Sequence, residues 1–168
     1  IERLDVTSYD LVISSSNSFA KGVKVPKAAT HVCYCYSPMR YVWDYWPQWL
    51  TERAHNPISR AYITWLTHRL RLWDWYSSQG VDRWIAISDT VAGRIKKYYG
   101  VDSAVIYPGV IDTGAFWGPN VKRHNYYITL STLTSYKKVD LAIQACIKSK
   151  RQLMVVGEGP EWGSLHKL

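Results

Sequence analysis

Six short apolar runs recur along the chain: DLVIS at 10–14, HVCYC at 31–35, RWIAIS at 83–88, AVIYP at 104–108, YYITLS at 126–131 and QLMVV at 152–156. They are apolar almost throughout, without a polar residue at every second position, which is the pattern of parallel strands covered on both faces. Between the third and fourth runs, Ser88 or Asp89 can cap a helix whose Val91, Ile95 and Tyr99 fall on one face, and Gly100 stands where a left-handed residue ends it. Strands separated by helices predict an α/β fold of Rossmann-like parallel sheets flanked by helices.

The interval from Ser37 to Gly80 is aromatic and basic. Pro47 and Pro57 break its helical pattern, and its second half sets Tyr62, Leu66, Leu70 and Trp73 along one side, with Arg69, Arg71 and Asp74 elsewhere. Two readings follow: a helical excursion packed over a sheet, or a surface from Tyr41 to Tyr76 resting on an anionic membrane interface, where Trp, Tyr and Arg are favoured. Residues 109–125 hold three Gly, one Pro and little periodicity, and predict an interdomain linker. The expected division is 1–118 for a first domain with its linker and 119–168 for the opening strand, helix and strand of a second. No internal repeat or low-complexity segment is visible.

Composition narrows the function classes. A hydrophobic content of 47% over 168 residues is enough for a real core and excludes a disordered chain. The apolar runs are far too short to span a bilayer. The net charge of +8 is uneven, +3 over residues 1–118 and +5 over the shorter remainder, a field that favours phosphate-bearing partners. Nucleic acid is not the expected one, because the aromatics occupy apolar helical positions and no stacking platform or helix-turn-helix is seen. The odd count of three cysteines, with Cys33 and Cys35 one residue apart in a strand, suits reduced thiols and a cytoplasmic location. No second ligand pair accompanies them, so no metal is expected.

In the stretch STLTSYKKVDLAI, Lys137 and Lys138 stand together at the start of a helix, where the helix dipole is already positive, which asks for an anion. This stretch, with DLVISSSNSFAKGVKVPKAATHVCYCYSPMRYVWD, VDRWIAISDTVAGRIKKYYG, AVIYPGVIDTGAF and LMVVGEGPEW in that order, resembles the middle of a family-four retaining glycosyltransferase of the mannosyltransferase-like branch. The resemblance covers nearly the whole chain. It implies partial GT-B architecture and transfer of a sugar, with retention, from a nucleoside-diphosphate sugar to a lipid-linked or polysaccharide acceptor. It implies no cofactor or metal beyond that donor, and a cytoplasmic site with peripheral contact to the inner face of the membrane.

The resemblance also assigns residues. Lys137 stands at the position of the lysine that grips the donor diphosphate, Thr132 at that of its partner arginine, and Gly157 and Gly159 in a turn close to the nucleotide. Lys138, one residue on, would point about 100° away on a helix. Asn17, Tyr36 and Arg40 fall on the acceptor side, Asn17 and Tyr36 replacing histidines typical of the family, and Ile87 replaces an asparagine. The family's Gly-rich loop would precede Ile1 and its Glu-x7-Glu segment would follow Leu168, so the expectation is a piece of a longer coding sequence, inactive by itself. The alternative is a non-catalytic α/β module that binds an anionic partner or self-associates. Incomplete sheets leave free edges and apolar surface, so a homo-oligomer is expected.

Overall fold

The computed structural model describes residues 1–109 and 124–168. Two compact units, Ile1–Val110 and Ile111–Leu168, divide the chain. The expected boundary at 118/119, and most of the expected linker, lie outside the described residues.

In the first unit the apolar runs become β1 (Leu11–Ser16), β2 (Thr30–Cys35), β3 (Arg83–Ala86) and β4 (Ala104–Val105), with α1 (Trp46–Arg53) and α2 (Pro57–Ser78) between β2 and β3 and α3 (Asp89–Tyr99) before β4. All pair in parallel, in the order β1-β2-β3-β4. The strand, helix, strand reading therefore holds for a four-stranded parallel sheet flanked by helices. The register aligns Ser14 with Cys33 and Trp84, and Ser16 with Cys35 and Ala86. That face meets the helices. Cys33, Cys35, Trp84 and Ala86 form one core with Val91, Ile95 and Tyr99 of α3. Ile87 packs against the same core.

The expectation that both faces are covered is corrected. Leu11 and Ile13 on the other face of β1 are exposed, as are Tyr36, Ile106 and Tyr107. The strands are laid down in sequential order, so crossovers of one hand put every helix on the same side.

The helix boundaries follow local chemistry. Ser88 accepts from the Val91 amide at 3.3 Å and Gly100 ends α3 at φ 77°, as its sequence predicts. Pro47 and Pro57 do not interrupt helices; they sit in the first turns of α1 and α2, where a missing N–H removes no bond. Asn56 caps α2 reciprocally with Ser59. The fully buried residues of α2 are Thr67, Asp74 and Ser78; of the expected apolar side Leu66, Leu70 and Trp73 are half-buried and Tyr62 is exposed.

The second unit has β5 (Tyr127–Leu130), α4 (Val139–Lys148), β6 (Leu153–Val156) and a one-turn α5 (Trp162–Leu165), with β5 and β6 parallel. Leu133 and Val139 are its buried apolar anchors. Among the described residues no helix is long and apolar enough to cross a membrane.

Candidate functional site

In the second unit the register from Tyr127 against Leu153 to Leu130 against Val156 sets the C-terminal ends of β5 and β6 side by side. Pairing continues past both strands. The Ser131 amide donates to Val156 O at 3.0 Å, the Leu133 amide to Glu158 O at 2.9 Å and the Glu161 amide to Leu133 O at 3.0 Å. Two turns can lie this close only where side chains are missing. A Cβ on Gly157 would stand 1.8 Å from Ser131 O, and one on Gly159 2.3 Å from Leu133 O. Gly157 also has φ +145°, a conformation L residues rarely adopt. The structure thus brings Thr132, Gly157 and Gly159 together in a double turn at the carboxyl ends of parallel strands, where open α/β sheets bind ligands.

The lysines follow at once. Ser135–Lys137 form a single 3₁₀ turn, Lys138 adopts a left-handed φ of 53° as the N-cap of α4, and the helix begins at buried Val139. Both lysines therefore precede the helix and do not share its first turn; burial of Val139 sets the start. Lys137 is exposed, its ammonium 5.4 Å from the Tyr136 ring centre. Lys138 lines a cleft of about 310 Å³ with Thr134, Asp140, Gln144, Glu161 and Ser164. Two carboxylates in that cleft oppose an anion there, whereas Lys137 stands outside it.

In the first unit Asn17 and Tyr36 directly follow the paired ends of β1 and β2, and both are exposed. The Ser15 hydroxyl donates to the Tyr36 oxygen at 3.2 Å, and the Tyr36 ring meets Tyr34 edge-on at 5.6 Å. Exposed Arg40 lies four residues on, its carbonyl accepting from the Tyr45 amide at 2.7 Å.

A buried ionic cluster was not anticipated from the sequence. Lys21 donates to Asp74 Oδ1 and to Ser18 O, both at 2.5 Å, while Trp43 Nε1 at 2.7 Å and the Tyr99 hydroxyl at 2.8 Å donate to Asp74 Oδ2. Burial and the Asp74 carboxylate push the Tyr99 phenol well above its ordinary pKa. The signal was present in a single acid, Asp74, set within the aromatic helix RLWDWYSS. Asp74 accepts three hydrogen bonds and Lys21 donates two, all of them inside the fold, which makes the pair structural.

His31 is fully buried between Ser14, 2.9 Å from Nε2, and Gly80 O, 3.1 Å from Nδ1. A neutral ring satisfies both, Nδ1–H donating to the carbonyl and Nε2 accepting from the hydroxyl. Burial lowers its pKa. The unfolded chain takes up the proton below about pH 6.5 and the folded chain resists it, so this stability is present above that value and lost as pH falls through it. The urea midpoint is expected to drop between about pH 7.5 and about pH 5.5. His31→Asn, which keeps a donor toward Gly80, should flatten the dependence; an unchanged slope would remove His31 as its origin.

Among the described residues no three His, Cys, Asp or Glu side chains gather into a group able to hold a metal. No protein-family model matches the chain, and comparison with curated proteins finds no match.

Proposed function

We propose that the chain is part of a retaining glycosyltransferase of GT-B architecture, and that its second unit holds the diphosphate of a nucleoside-diphosphate sugar destined for a lipid-linked or polysaccharide acceptor. The observation that carries this reading is the double turn, in which Gly157 and Gly159 press their backbone onto Ser131–Leu133, with an exposed Lys137 four residues further along the chain. The glycines let the two turns lock together at the strand ends, and an exposed ammonium on the following turn can balance the charge of a phosphate.

Retaining transfer needs the negative charge on the departing diphosphate neutralised as it develops. Lys137 supplies one cation. Thr132 offers a hydroxyl where a second cation would strengthen the grip, and the lost charge-assisted bond weakens binding by about 1.5–3 kcal/mol. Affinity in the millimolar range, about 4 kcal/mol, is the expected consequence. Asn17 and Tyr36 can hydrogen-bond a sugar and so orient it.

Ligand-observed NMR tests the reading. GDP and UDP signals should broaden in the presence of the chain while guanosine and uridine signals do not, because the diphosphate carries the contact. Equal behaviour of nucleosides and diphosphates would overturn it.

A further inference from the structure

Helix α2 buries Thr67, Asp74 and Ser78, half-buries Ile63, Leu66, Leu70 and Trp73 around them, and leaves a second, largely apolar stripe exposed to solvent. At about 100° per residue, Thr67, Asp74 and Ser78 cluster on one side, and all three are buried. Diametrically opposite, within about 40° of a single line, lie Ile58, Tyr62, Trp65, Arg69, Leu72 and Tyr76. The apolar members are 83%, 60%, 58%, 42% and 67% exposed in that order, and Arg69 is exposed as well. The buried side is explained by the Asp74 cluster; among the described residues nothing covers the exposed side.

We infer that this stripe pairs α2 with α2 of a second copy of the chain, antiparallel, about a two-fold axis level with Thr67. The spacing of the stripe, four then three then four then three then four, is that of a coiled-coil seam. Its width is the narrow one of a helix–helix seam, below the 100° or more typical of a helix laid on a broad apolar layer.

The order of residues is self-complementary, as a two-fold interface requires. Reversing the stripe about its centre sets Ile58 against Tyr76, Tyr62 against Leu72 and Trp65 against Arg69 of the second copy. The lone cation thus meets an indole face, a favourable contact made twice. Parallel pairing would stack Arg69 on Arg69. The single acid of α2, Asp74, is buried on the far side and so cannot offset that repulsion. The charge pattern thus selects the antiparallel arrangement.

The rings are also pre-arranged. Tyr62 and Trp65 stack at 6.2 Å and 29°, and Tyr76 meets Trp75 edge-on at 5.1 Å, which lowers the ordering penalty on association. Three large aromatics and two aliphatics with these exposures can remove on the order of 600–700 Å² per copy, close to the half-interface of a stable complex. The inference does not depend on the diphosphate reading.

The test uses the full chain with Cys146→Ser. Light scattering should give twice the 19.4 kDa chain mass. Under mild oxidation Ile58→Cys with Tyr76→Cys should crosslink two copies, whereas Ile58→Cys alone should not, since an antiparallel pair holds those two sites at opposite ends. Tyr62→Lys with Leu72→Lys sets like charges face to face on exposed positions, and should weaken association at least tenfold with an unchanged far-ultraviolet spectrum. A monomeric parent chain, crosslinking through Ile58→Cys alone, a dimer that survives the double lysine variant, or a monomer that floats with anionic vesicles through this stripe would each overturn the proposal.

Discussion

Asp74→Ala should destabilise the first unit by about 3–5 kcal/mol, because it strips the partner from a lysine that has no access to water. Lys21 is 2% exposed and Asp74 0%, and removal of the carboxylate also orphans the Trp43 indole and the Tyr99 hydroxyl. Folding stabilities of whole domains are about 5–15 kcal/mol, so much of the native population would be at risk. Urea unfolding followed by tryptophan fluorescence reads the effect, since Trp43, Trp73 and Trp84 surround the cluster or the adjoining core. Lys21→Met combined with Asp74→Leu should lose much less than the two single changes together, because apolar groups of similar size leave no buried charge unpaired. Additive losses would show that packing, and not the ion pair, holds the site.

Gly157→Ala should be nearly as damaging to the second unit. The new methyl would fall 1.8 Å from Ser131 O at a φ of +145°, so steric overlap and backbone strain act together. Overpacking and a disfavoured backbone each cost about 1–3 kcal/mol. The unit rests on two paired strands and the buried Leu133 and Val139, and it has little to set against such a loss. Gly163→Ala, with no atom within 4 Å of its new methyl, is the control and should be silent. Limited proteolysis after residue 124 should cut Gly157→Ala fast and Gly163→Ala at the parent rate. Equal rates would mean that the double turn opens without penalty, and would remove the basis of the candidate site.

What could be read in advance divides along physical lines. Helix α3 was legible from end to end because its cap, its apolar spacing and its terminal glycine are all local. The parallel strands were legible for the same reason, each being an uninterrupted apolar run. Coverage of the sheet was not, since Leu11 and Ile13 on the open face are the same kind of residue as those on the closed one, and only strand order decides between them. Periodicity set Tyr62, Leu66, Leu70 and Trp73 along one side of α2, and all but Tyr62 are half-buried, but it did not reveal that Asp74 lies at the centre of the buried side, because its partner, Lys21, is 53 positions away. At the candidate site the glycines and lysines were found by motif order. The approach of the glycines to Ser131–Leu133 depends on pairing beyond the strand ends, which no local signal records.

The central claim is that Lys137 and the glycine double turn hold a diphosphate. Calorimetric titration of GDP and UDP into four forms of the chain tests it most directly. The parent should bind in the millimolar range, about 4 kcal/mol. Lys137→Ala should abolish that binding. Lys138→Ala should change it little, because Lys138 lines a cleft together with Asp140 and Glu161. Thr132→Arg, on an exposed position beside the turn, should tighten it about tenfold by restoring a second cation. Equal affinities for all four forms, or no heat from any of them, would contradict the account and leave the two lysines as a solvated face.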